Sequence, residues 1–214
     1  MPFTSPSAIV TNGEPDLLAR AREGASAFLF TPRGTVRCDG PALFRSQAAR
    51  DLACLLDIDP DVETWACLPL VLDHPDGMHV PDFIVTRSSG TVLMDAVPIG
   101  TEAHPPWWAP AAAEDAGYGY ERHAEADFRK GFRLENARDL LRYANYRISL
   151  GDRVRLLTLL EEQGPMPLAV CMQVVRDSRD AIGVIAAMTL HRFVELGLDG
   201  ARIGPEARVS RFHA

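Results

Sequence analysis

Residues 79–98 read HVPDFIVTRSSGTVLMDAVP, and this stretch decides how the rest of the chain is read. Two runs rich in β-branched residues, Phe83–Thr86 and Thr91–Val97, flank a Ser88-Ser89-Gly90 turn, the pattern of a β-hairpin. Asp82 opens the first strand, and Asp95 stands near the end of the second. Side chains alternate faces along a strand, so Asp95 and Val97 share one face and Ala96 takes the other. Two carboxylates with water are a donor set for Mg²⁺, though a weak one without a third acid.

Working outward, the order of elements is that of a small mixed α/β core. Ser46–Asp57, SQAARDLACLLD, carries Ala49, Leu52, Ala53 and Leu56 on one helical stripe, and Asp59-Pro60 closes it. Val62–Leu72, VETWACLPLVL, reads as one strand with Pro69 at an edge or bulge. Upstream, residues 1–40 form a peripheral arm with a helix over Pro15–Glu23 and a strand over Ala27–Phe30. Downstream, Gly100–Tyr120 reads as a loop in which Trp107 and Trp108 anchor the chain to its own domain rather than stack on bases. A helix begins near Leu134. Around it Arg129, Lys130, Arg133, Arg138, Arg142 and Arg147 alternate with Glu125, Asp127, Glu135 and Asp139 as a solvated face.

A composition shift at Ser149–Asp152 marks a boundary. Beyond it lie three helical segments, Arg153–Glu162, Pro167–Arg176 and Asp180–Leu196, and then the tail DGARIGPEARVSRF, which reads as a short β wing. Three helices and a wing predict a winged-helix module, with Arg179, Arg192, Arg202 and Arg208 as candidate DNA contacts. The predicted organisation is an arm over 1–40, a core domain over 41–149 and a small domain over 150–214.

The charge balance qualifies a DNA-reading role. The 214 residues carry a net charge of −7, and the bases are 21 arginines and a single lysine, Lys130. Nucleic-acid binders usually carry basic excess. Acids and bases are equal beyond residue 150, so a partner-binding winged helix is as consistent as a DNA-reading one. No apolar run reaches membrane-spanning length, and the first residues lack the pattern of a secretory leader, so the chain reads as cytoplasmic. Cys38, Cys54, Cys67 and Cys171 have no CxxC spacing and read as reduced thiols.

Four pieces taken in order, SQAARDLACLLDIDPDV, VPDFIVTRSSGTVLMDAV, RLENARDLLRYA and the tail beginning LLTLLEEQG, resemble the TnsA family of transposon endonuclease subunits. That resemblance implies an α/β, restriction-endonuclease-like PD-(D/E)xK mixed-sheet core followed by a winged helix. It also implies a site in which acids hold a divalent metal beside a lysine. The match at that site is uneven. Asp82 and Asp95 occupy the two strand acids, Ala49 stands where a helix glutamate is usual, and Val97 stands in the lysine place. Leu68-Pro69 replaces the usual Gln-Pro. The helix neighbours of Ala49, namely Arg45, Ser46, Leu52 and Ala53, include no acid, and Asp51 faces elsewhere. Glu63 and Glu102 are the acids left to approach from adjacent elements.

The expectation is therefore a degenerate nuclease fold that requires no cofactor. It would bind double-stranded DNA, a transposase or other transposition proteins, or both. A working enzyme using Mg²⁺ or Mn²⁺ with relocated groups is one alternative, and a protein-binding scaffold is the other.

Overall fold

A computed structural model describes residues 14–100 and 104–213. The first 13 residues of the arm, and Glu102, lie outside them. The arm's helix is α1 (Glu14–Ser26). Residues 27–30 form no strand, and Phe28 and Leu29 are exposed. The striped helix is α2 (Gln47–Ile58), and Ser46 caps it by accepting a hydrogen bond from Ala49 N at 3.0 Å. That bond satisfies one of the amide groups a first helical turn leaves open.

The segment predicted as one strand divides into β1 (Val62–Cys67) and β2 (Leu72–His74), which pairs with β3 (Gly77–His79) as a small hairpin. The break falls at Leu68, whose φ of 47° is left-handed and costly for a residue with a Cβ. Both of its backbone polar groups are held there. Its N–H donates to Asp82 O at 2.9 Å, and its carbonyl accepts from Arg22 Nε and Nη2 at 3.2 and 2.9 Å.

The hairpin of the opening stretch is β4 (Phe83–Arg87) and β5 (Gly90–Val97). Within the predicted loop, Pro110 sits in the first turn of α3 (Ala109–Asp115), and β6 (Gly119–Ala124) follows. The four-stranded sheet runs β1-β4-β5-β6, antiparallel except for the parallel β5–β6 pair that α3 connects. The chain is thus of mixed α/β class with a mixed sheet.

Alternation along β5 sends Met94 to one face and Leu93 to the other. On Met94's side, Ala49, Leu52, Ala53 and Leu56 of α2 pack with Trp65, Phe83 and Val85. Trp65 meets Phe83 edge-on at 5.7 Å, an arrangement worth about 1 kcal/mol beyond area burial. On Leu93's side lie Leu72, Trp108, Ala109 and Ala113. Trp108 is buried and stacks on the His74 ring at 4.9 Å, while Trp107 is exposed.

The remaining elements are α4 (Glu125–Phe128), α5 (Arg133–Leu141), α6 (Leu150–Gln163), β7 (Met166–Pro167), α7 (Leu168–Met172), α8 (Ala181–Leu190), β8 (Val194–Leu196) and β9 (Arg208–Arg211). The last three strands form an antiparallel sheet ordered β7-β9-β8. The helix predicted to Leu196 stops at Leu190 because Arg192 turns left-handed, at φ 57°, without a glycine to signal it. One core joins Leu156, Leu160, Val184, Ile185, Met188 and Val209 to Leu134, Ala137 and Leu141 of α5 and Cys54 of α2.

Two arginines stitch the helix ends together. Arg37 Nη2 donates to Leu190 O at 3.1 Å and its Nη1 to Asp57 O, while Arg192 Nη2 donates to Asp59 O at 2.8 Å and to Val62 O. Burial, with the like charge of Arg192 beside it, lowers the Arg37 pKa to about 10. Among the described residues, no helix is long and apolar enough to cross a membrane.

Asp152 anchors the start of the C-terminal unit. Its buried carboxylate accepts from Arg176 N (2.8 Å), Asp177 N (3.1 Å), Ser178 Oγ (2.7 Å) and Arg155 Nη2 (2.7 Å). Burial alone would raise its pKa, but these donors outweigh burial and hold it well below the usual carboxylate range. A depressed folded pKa contributes stability above the unfolded value of about 4 that is lost as pH falls through the folded value. Asp152→Asn is expected to cost about 2 kcal/mol at neutral pH in urea titrations, with a smaller deficit at the acid end of that window.

Candidate functional site

Asp82 and Asp95 meet at one end of the β4–β5 hairpin, where the strands and the chain before α2 converge. Both are buried, at 6% and 2% exposure. Asp95 Oδ1 accepts from Asp82 N at 3.0 Å, and Asp82 Oδ2 accepts from Ala96 N at 3.0 Å, so each carboxylate is pinned by the other strand's backbone. Arg45, the residue before the Ser46 cap, reaches into the pair. Its Nε and Nη2 lie 2.9 and 2.7 Å from Asp82 Oδ1, and Nη2 lies 3.3 Å from Asp95 Oδ1. Asp95 Oδ2 accepts from His79 Nε2 at 2.7 Å and from Tyr120 Oη at 2.5 Å.

All four carboxylate oxygens therefore have donors, and one guanidinium bridges both acids. The pair is electrostatically split. Burial raises the Asp82 pKa, and the negative charge of Asp95 adds to that against the opposing pull of Arg45. Burial also pushes Asp95 upward, but the hydrogen bond and charge of His79, the Tyr120 hydroxyl and Arg45 together bring it below the ordinary value. Burial and the carboxylate of Asp95 push the Tyr120 phenol up, so it serves as a donor. A cleft of about 330 Å³ opens over this network, bounded by Ser46, His79, Pro98 and His104.

Ala49 is buried in the core under α2. Val97 is half-buried and pairs with Ala124 on β6. Glu63 is exposed on β1. Asp51 is fully buried away from the pair, accepting from Arg129, Arg138 and Gln47. Lys130 is exposed and pairs with Asp127 at 2.7 Å. The residues present do not fit a divalent metal as they stand, because the edge two acids would share around an ion is filled by Arg45. Among the described residues, no group of three His, Cys, Asp or Glu side chains is disposed to hold a metal.

Of the arginines read as DNA contacts, Arg192 is spent on the carbonyls of Asp59 and Val62, and Arg202 lies 3.0 Å from Glu135. Arg179 and Arg208 are exposed. Helical spacing puts Arg45 on one face with Ala49, but Arg45 precedes the Ser46 cap and reaches the acids from outside the helix. Sequence reasoning passed over His79, which opens the quoted stretch, and Tyr120, which it assigned to a loop.

No protein-family model matches the sequence, and comparison with curated proteins gives no match either.

Proposed function

We propose that this chain is a TnsA-like protein with a restriction-endonuclease-like core and a winged-helix C-terminal unit. In this reading it no longer cuts DNA and serves as a DNA- or partner-binding component of a transposition or DNA-processing complex. A helix, three antiparallel strands, a second helix and a parallel strand support the core assignment, with paired acids at one sheet end. The order α6, β7, α7, α8, β8, β9, with β9 central in its sheet, supports the winged helix.

The observation that carries the loss of cutting is Arg45. Hydrolysis at such a site takes a divalent cation to ready water and to offset charge on the phosphate. Here the guanidinium of Arg45 bridges the two acids instead, and it cannot activate a water. Purified protein is expected to leave supercoiled plasmid intact with Mg²⁺ or Mn²⁺. Nicking that disappears in Asp82→Ala would overturn this reading.

A further inference from the structure

Ser46 faces the carboxylate cleft, and its neighbour Gln47 faces a second one of about 640 Å³. The second cleft runs between residues 31–34 and the C-terminal end of α5. Its charged lining is Arg33, Arg138 and Arg142 against Asp139, with the amides of Gln47 and Asn145 beside them. Arg33 and Arg142 are exposed. Among the described residues, the ion pairs of this region use Arg129, Lys130, Arg133 and Arg138 and leave Arg33 and Arg142 out.

Beneath the wall lies a further cation. Arg50 is fully buried, and its Nε and Nη2 donate to Pro32 O and Gly34 O at 2.6 and 2.8 Å. Among the described residues its buried Nη1 has no acceptor, and its guanidinium lies 5.1 Å from the Phe44 ring centre. Carbonyls and a ring do not cancel a full charge, and a buried cation without a hydrogen-bonded counterion is costly. Buried Asp57, two turns along α2, feels the Arg50 charge but makes no hydrogen bond to it, and directs Oδ1 to Val36 N, Arg37 N and Trp65 Nε1. An anion outside the 31–34 wall would recover part of the cost of burying Arg50.

That wall is set in place. A Cβ on Gly34 would lie 2.7 Å from Ala144 Cβ and 2.8 Å from Leu141 O, so the chain packs backbone-to-helix there. Among the described residues no aromatic side chain lines the cleft. Arginines and amides without a stacking platform suit backbone phosphate rather than bases.

We propose that this cleft holds the phosphodiester backbone of duplex DNA, with Arg33 and Arg142 on phosphates and Arg50 adding positive field from beneath. The inference rests on the DNA-binding form of the function proposed above. It places the contact beside the N-terminal end of α2, away from the arginines of the C-terminal unit.

The test is anisotropy of a short labelled duplex with the full chain across a salt series. Binding is expected to weaken steeply with salt. Arg33→Ala/Arg142→Ala is expected to reduce the log–log salt slope by about 2 and affinity by about tenfold or more at low salt, with unchanged thermal unfolding. Arg179→Ala/Arg208→Ala is expected to leave the slope unchanged. A wild-type slope in the first double variant would overturn the proposal, as would binding of pyrophosphate without binding of duplex. Duplex retained through Arg179 and Arg208 would reject the cleft yet leave the non-cutting reading intact. Plasmid nicking with binding still dependent on Arg33 and Arg142 would do the reverse.

Discussion

Arg45→Ala is expected to lower stability by about 3 kcal/mol, read from urea titrations at neutral pH. Removing one partner of a buried ion pair costs about 3–5 kcal/mol, and the lower end applies because the Arg45 side chain is 36% exposed. Among the described residues, the variant leaves Asp82 and Asp95 facing each other with His79 on Asp95 Oδ2 and His104 at the cleft rim. The pH dependence has a definite sign. Asp82 has a raised folded pKa, so its ionised form opposes folding and protonation relieves that. Asp95 has a lowered one, so it contributes stability above the ordinary carboxylate range that is lost as pH falls through its folded value. Loss of Arg45 raises Asp82 further. The variant's deficit should therefore narrow as pH falls from neutral toward the unfolded aspartate value of about 4. Mn²⁺ should raise its melting temperature more than that of the parent chain, since a cation can then occupy the vacated edge. A deficit that widens on acidification would show that Arg45 is not the counter-charge of this pair.

Asp51→Ala is the second large effect expected, also about 3 kcal/mol. Asp51 is fully buried and accepts from Arg138 Nε at 3.1 Å and Arg138 Nη2, Arg129 Nη2 at 3.0 Å and Gln47 Nε2 at 2.7 Å. It is the charged tie between α2 and the α4–α5 region. Both arginines are partly exposed and can be resolvated, and Arg129 keeps Glu125 at 2.7 Å, which holds the loss to the lower end of the buried-pair range. Denaturation with an unchanged urea slope and a lowered midpoint would fit a lost tie. A change below about 0.5 kcal/mol, the range of an ordinary surface substitution, would contradict it.

The hairpin was legible because two signals agreed: β-branched runs on each side and a Ser-Ser-Gly turn between them. α2 was legible for a similar reason, its apolar stripe ending at Asp59-Pro60. The site was legible only as far as its acids. Asp82 and Asp95 are local to the hairpin, whereas the group that closes them comes from 37 and 50 residues away in sequence. Arg45 lies one turn before Ala49, but the Ser46 cap turns the chain there, and helical spacing does not report where the preceding side chain goes. α3 and β6 were hidden by Gly117, Gly119 and the prolines around Trp107, which read as loop. Leu68 and Arg192 mark the other failures. Each adopts a left-handed backbone without glycine, because neighbours from distant segments hold it there.

The grip of Arg37 and Arg192 on the carbonyls of Asp57, Asp59, Val62 and Leu190 has a mechanical corollary. It fastens the far end of α2 to α8, while the near end of that helix carries Ser46 and Arg45. Twelve residues make a rod of about 18 Å, stiff at that length. One helix thus carries the contact to α8 at its far end and, at its near end, the cap that follows the guanidinium over Asp82 and Asp95.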